Sequence, residues 1–116
     1  MQFDVERNTV LGRPALTVRG ELDLATAPRL VAAAESLLSQ QPQSLVVDLT
    51  GTTFLDSSGA RELVRVARRA AAAGVALEVV CPRANRPVRL VVDLLELQAV
   101  VPIVESASLT ENEVGP

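Results

Sequence analysis

Ser44-Leu45-Val46-Val47-Asp48-Leu49, then Thr50-Gly51-Thr52-Thr53-Phe54, then Leu55-Asp56-Ser57-Ser58-Gly59 is the stretch on which the fold turns. The first six residues are apolar on both faces at most positions, which predicts an inner strand covered on two sides. Thr50 to Phe54 reads as a short connection. Ala60, Leu63, Val64, Ala67, Ala70 and Ala71 then recur at helical spacing, which predicts a long amphipathic helix stopped at Gly74. Two hydroxyls and a carboxylate therefore crowd a helix N-terminus at a strand end. Such a turn can hold a helix cap, a nucleophile or a phosphorylation switch.

Upstream, Phe3 and Val5, then Leu16 and Val18, alternate with polar neighbours, which predicts two strands around a turn near Asn8 to Pro14. Gly20-Glu21-Leu22-Asp23 ends the second strand. Leu30, Ala33, Ala34, Leu37 and Leu38 predict a first helix, with Thr26 or Asp23 as its cap and Pro28 in its first turn. Downstream, Val75, Leu77, Val79 and Cys81 alternate as a strand. Asn85 is the expected cap of a third helix, with Leu90, Val91, Leu94 and Leu95 inward. Val100 to Val104 reads as an edge strand because Pro102 cannot donate to a ladder. Ser108-Leu109-Thr110-Glu111 matches a capping box and predicts a short last helix. The order predicts an α/β fold: a mixed, mostly parallel sheet of about five strands, three main helices and a short C-terminal helix, in one domain over 1–116.

Composition removes several chemistries. The 116 residues include no His and one cysteine, Cys81, which reads as a small buried apolar residue. A Ser-His-Asp triad and a Cys/His zinc site are excluded. All 11 basic residues are arginine, so a Ser-Lys pair is excluded too. With no Gly-rich phosphate loop either, the chain is read as a non-enzyme with no cofactor. The net charge of -3 argues against nucleic-acid binding. Val88 to Val104 carries Arg89, Asp93, Glu96 and Pro102, which argues against a membrane span. The N-terminus lacks an apolar signal core, so a cytoplasmic protein is expected.

The element order resembles that of the STAS domains, in particular the bacterial anti-sigma factor antagonists. Two motifs carry the resemblance: Gly20-Glu21-Leu22-Asp23, and Val46-Val47-Asp48-Leu49 followed by Phe54-Leu55-Asp56-Ser57-Ser58-Gly59. Their separation and the third helix around Val88-Arg89-Leu90 fit as well. The resemblance implies that Ser57, directly after the aspartate, accepts phosphate from ATP. It implies that the unmodified protein binds an anti-sigma factor serine kinase and so frees a sigma factor. Phosphorylation then releases it, and a metal-dependent serine phosphatase resets it. Asp56, Ser58 and Gly59 would support the phosphosite, with Ser58 as the helix cap. Glu21, Asp23 and Arg61 would contact the partner. The other reading is a STAS scaffold subunit of a stress-sensing or lipid-transport complex, without modification.

The chain departs from the family pattern at three places. Ala60-Arg61 stands where Leu-Gly is frequent. Leu95-Glu96 stands where a small residue and Gly usually end the third helix. The last helix is short. Arg61, Arg65 and Arg68 recur on one helix face beside Arg69, which reads as a solvated face or as a docking stripe for an acidic partner. Arg61 could also reach a phosphate on Ser57.

Overall fold

The computed structural model describes residues 2–108. Its chain order is β1 (Asp4–Val10), β2 (Arg13–Leu22), α1 (Ala27–Leu38), β3 (Ser44–Asp48), β4 (Thr52–Leu55), α2 (Ser57–Ala72), β5 (Ala76–Val80), α3 (Arg86–Leu94), a 3-10 turn (Leu97–Ala99) and β6 (Ile103–Val104). The sheet has six strands, not about five, ordered β1-β2-β3-β5-β6 with β4 on β2. Only β1 runs antiparallel to its neighbour. The predicted last helix falls on residues outside those described, apart from Ser108.

The additional strand explains how the site is built. β2 is ten residues long and serves two neighbours on one side. Its first half pairs with β3, as Ala15↔Val46 to Thr17↔Asp48. Its last three residues pair with β4, as Gly20↔Thr52, Glu21↔Phe54 and Leu22↔Leu55, with a register shift between Gly20 and Glu21. Gly20 takes φ +94, and a Cβ there would lie 2.9 Å from the Gln2 carbonyl. A glycine permits both the left-handed backbone and the close approach. Thr50 to Phe54 is thus largely a strand, invisible in isolation because four residues carry little periodicity and the partner strand is distant in sequence, Gly20 meeting Thr52 and Leu22 meeting Leu55.

The helices cover one face of the sheet. Leu16, Val18 and Leu22 of β2, Leu45 and Val47 of β3, and Leu77 and Val79 of β5 join one aliphatic core with the helices. Alternation along each strand sends Ala15, Val46 and Val80 to the other face, where they form a smaller cluster. Arg13, Ser44 and Glu78 share that second face. Arg13 Nε donates to Ser44 Oγ at 3.0 Å, and Arg13 Nη1 meets Glu78 Oε1 at 2.7 Å. Glu78 also accepts the Ser108 N–H and hydroxyl, and Arg13 Nη1 donates to the Ser108 carbonyl. This set, in which Arg13 and Ser44 are buried, ties the start of β2 through β3 and β5 to the last described residue.

Several side-chain placements differ from expectation. Pro14 lies inside β2, and the hairpin turn is Leu11-Gly12, both at positive φ. In α2, Val66 is buried and Ala71 is exposed. In α3, Leu90, Leu94 and Leu95 are exposed, while Val88, Arg89 and Val92 are buried. The apolar arc of this helix, from Val88 and Val92 round to Leu90 and Leu94, is wider than the face it buries, so periodicity alone does not fix which part of the arc turns inward. Arg89 is accommodated because its Nη1 donates to the Cys81 carbonyl at 2.7 Å; its Nε finds no partner among the described residues. Asn85 stands at the N-cap without capping. Its amide instead donates to the carbonyls of Leu49 and Thr52, locking the step between β3 and β4. Glu96 adopts φ +51 beyond α3, the left-handed position that glycine favours after a helix. Strand β6 has only two residues of the predicted five, and it lies at the sheet edge. Cys81 is fully buried, and burial, only partly offset by Arg89, pushes its thiol above the ordinary range.

Candidate functional site

The parallel strands β2 and β4 end side by side, Leu22 opposite Leu55. The two sequence motifs therefore meet at one sheet edge, at the carboxyl ends of parallel strands, where α/β folds place their sites. Gly59 makes the meeting possible. A Cβ on it would lie 2.3 Å from the Leu22 carbonyl oxygen and 2.9 Å from Leu55 Cδ1. Only a residue without a side chain lets the first turn of α2 sit on the end of β2.

The cap of α2 is Asp56, not Ser58. Asp56 has extended backbone angles, and its Oδ1 accepts the Gly59 N–H at 2.8 Å. Its own N–H reaches the Leu22 carbonyl at 3.4 Å. Ser57 and Ser58 follow as the first and second helical residues. Neither their hydroxyls nor their N–H groups have a hydrogen-bond partner among the described residues. Ser57 is exposed and Ser58 half-buried. An unpartnered hydroxyl at a helix N-terminus is available to chemistry, and the helix dipole favours negative charge there.

The Gly-Glu-Leu-Asp loop divides its two acids. Asp23 Oδ1 accepts the N–H groups of Ala25 and Thr26 at 3.0 and 3.1 Å. Thr26 Oγ1 accepts the Asp23 N–H and donates to the Glu21 carbonyl at 2.6 Å. Asp23 thus shapes the turn into α1. Thr26, at the N-cap position, makes no side-chain cap bond. Glu21 is exposed and has no ion-pair partner among the described residues.

Leu24, just beyond β2 and in one cleft with Ser58, is 75% exposed, and Phe54, within β4, is 45% exposed. Sequence reasoning did not single them out. Leu24 follows the Gly-Glu-Leu-Asp motif directly, and Phe54 becomes legible once β4 is recognised as a strand. α3 packs beside β4 and turns Leu90 and Leu94 outward. On α2, Arg65 pairs with Glu62 and Arg69 with Glu35, while Arg61 and Arg68 have no ion pair among the described residues. Among the described residues no group of three or more His, Cys, Asp or Glu side chains could hold a metal ion, and no helix is long and apolar enough to cross a membrane.

Solved structures share this architecture. An anti-sigma factor antagonist from Mycobacterium paratuberculosis superposes with a TM-score of 0.73 at 23% identity, over 97% of this chain and 92% of that one. The anti-sigma factor antagonist SpoIIAA in its unphosphorylated form gives 0.63 at 19% identity, over 97% and 94%. The Bacillus cell fate determinant SpoIIAA in the phosphorylated form gives 0.57 at 20% identity, over 97% and 96%. At these identities the likeness establishes the fold. No curated protein is similar enough in sequence to count as a relative. The family profile described as Mlab, STAS domain matches residues 6–104, most of the chain: the protein belongs to the STAS domain family.

Proposed function

We propose that this protein is an anti-sigma factor antagonist switched by phosphorylation of Ser57. The observation that carries the reading is the exposed, unpartnered Ser57 hydroxyl, on the first helical residue behind an Asp56 cap. A partner serine kinase transfers the γ-phosphoryl group of ATP: the Ser57 Oγ–P bond forms, the bond to ADP breaks, and the hydroxyl proton goes to a base of the kinase. Asp56 is a cap rather than that base, because its Oδ1 holds the Gly59 N–H. The unmodified protein docks on the kinase through Glu21, Asp23 and Arg61, with Leu24 and Phe54 as the apolar part of the contact. A serine phosphatase restores the docking state. These events belong in the cytoplasm.

Magnitudes favour a switch at the surface. Phosphate adds about -1.5 to -2 charges. At a helix N-terminus it gains roughly 0.3–1 kcal/mol, up to about 2 when partly buried. Moving an equilibrium from 1:99 to 99:1 needs about 5.5 kcal/mol. The gain is too small to rebuild the fold, whereas a desolvated like-charge contact at an interface costs several kcal/mol. The phosphate therefore blocks docking directly. Superposition of SpoIIAA in both forms over 97% of this chain supports an unchanged fold.

The test is incubation with candidate anti-sigma factor kinases, any co-encoded one included, and ATP, read by intact mass. One phosphate is expected on the parent chain, on Ser58→Ala, and none on Ser57→Ala. Loss of the mass shift in Ser58→Ala alone would move the site. A second reading, an unmodified scaffold subunit of a stress-sensing or lipid-transport complex, is equally compatible with the STAS-domain match, whose description names no anti-sigma factor. It predicts no mass shift with any co-encoded kinase.

A further inference from the structure

Arg89 carries the one buried side-chain donor that the fold leaves unsatisfied among the described residues. The residue is only 7% exposed, and its Nη1 donates to the Cys81 carbonyl at 2.7 Å. Its Nε has no hydrogen-bond partner there. Arg89 also lines a surface cleft of about 380 Å³, together with Arg83, Arg86, Leu90 and Asp93. Arg86, Arg89, Leu90 and Asp93 recur at spacings of three and four along α3, which puts them on one helix face, and Arg83 comes from the loop before it. None of the three arginine side chains has an ion pair among the described residues. The geometry points to this cleft as a binding site for a phosphate-type oxyanion, free or as a monoester. Arg89 holds the anion from the wall of the cleft, and Arg83 and Arg86 close over it. The site lies on a different helix from Ser57 and does not depend on the reading of that residue.

A planar guanidinium offers Nε–H and Nη2–H along one edge, a fork that matches two oxygens of a phosphate. The Cys81 carbonyl takes Nη1 and holds the plane, so that edge is the one left over. Water does not reach Nε, so its desolvation stands uncompensated in the free protein. An oxyanion seated on Nη2 brings a second oxygen to Nε once the guanidinium shifts slightly toward the cleft. A carboxylate would spend both its oxygens on this fork, whereas a phosphate keeps further oxygens for Arg83 and Arg86. Leu90, exposed in the same cleft, gives an apolar wall to whatever group carries the phosphate. Two acids oppose the anion without cancelling three cations. Asp93 lines the cleft, and Glu105 accepts the Arg83 backbone N–H at 3.0 Å. The arginine groove on α2 is the contrast. Arg61, Arg65, Arg68 and Arg69 line it, but Arg65 and Arg69 are paired with Glu62 and Glu35, and all four are exposed. No buried donor waits there for a partner.

The test titrates the full chain with inorganic phosphate at constant ionic strength and follows the arginine Nε–H groups in proton–nitrogen NMR spectra. The Arg89 Nε–H signal is expected to shift and to saturate, with a dissociation constant of about 1 mM. Arg83→Ala and Arg86→Ala remove exposed side chains and should each weaken binding about three- to tenfold. Asp93→Asn should tighten it about twofold, because a like charge leaves the cleft. Arg68→Ala, in the α2 groove, should leave it unchanged. Arg89→Lys keeps the charge but loses the fork and should cost at least about tenfold, with thermal denaturation checking that the variant folds. Glycerol phosphate in a parallel titration separates the two sources. Tighter binding that Leu90→Ser reduces identifies a monoester as the ligand, and equal binding identifies free phosphate. An Arg89 Nε–H signal that does not move, a response that never saturates, or binding untouched by Arg83→Ala and Arg86→Ala together overturns the site. So does an equal loss with Arg68→Ala, which would mark general attraction of anions to arginine.

Discussion

Two polar clusters in this molecule use the same residue types in opposite ways. On the sheet face away from the helices, Arg13, Ser44, Glu78 and Ser108 are joined by hydrogen bonds, and Arg13 is only 6% exposed. At the start of α2 and the end of β2, the side chains of Ser57, Ser58, Arg61 and Glu21 have no hydrogen-bond or ion-pair partner among the described residues. A buried polar group must be paired or its desolvation goes uncompensated. A group that must later meet a phosphate or a partner has to be left unpaired, and so has to face water. Partnering, more than residue type, separates the two roles.

The comparison is broken most severely at Arg13. Arg13→Ala leaves the Glu78 carboxylate without its cation and should lower stability by about 3 kcal/mol in urea denaturation. Glu78 also gives the cluster a pH signature. Burial raises its pKa, but hydrogen bonds from Ser108 and Arg13 and the Arg13 charge outweigh burial and hold it below the ordinary value. The unfolded chain therefore binds more protons in the window between the two values. The contribution of Glu78 is complete above the unfolded value and is lost as pH falls through the folded one. Glu78→Gln should flatten the acid limb of the stability curve.

Next in size is Gly59→Ala, at about 1–3 kcal/mol, because the new Cβ would displace either the end of β2 or the start of α2. Thermal denaturation measures it, and partner binding should weaken with it. Asp56→Ala removes the cap and should cost about 1 kcal/mol. Ser57→Ala should change stability by less than about 0.5 kcal/mol, because the Ser57 hydroxyl bonds to nothing among the described residues. The same substitution should abolish the phosphate mass shift. A large stability loss at Ser57 would erase the distinction between the two clusters.

The elements were legible where one periodicity dominated. α1 buries Leu30, Ala34, Leu37 and Leu38 as its spacing predicts, and β3 is the inner strand that its two apolar faces predict. Gly74, at φ +71, follows the end of α2. Reading failed where a position's role depends on a distant neighbour. Asn85 looks like a cap until the carbonyls of Leu49 and Thr52 come within its reach. Ser58 looks like a cap until the extended backbone of Asp56 claims that position.

By itself the sequence determined the α/β order, the motif at the strand-to-helix turn and the absence of a histidine or lysine nucleophile. These follow from local periodicity and from composition, which no packing can alter. Tertiary structure alone decided that Thr52–Leu55 is a strand, that α3 buries Arg89 and exposes Leu90 and Leu94, and that Gly59 rests on the Leu22 carbonyl. A strand needs a partner, a helix whose apolar arc is wider than the face it buries needs a neighbour to choose its inner side, and a close approach exists only once two segments meet.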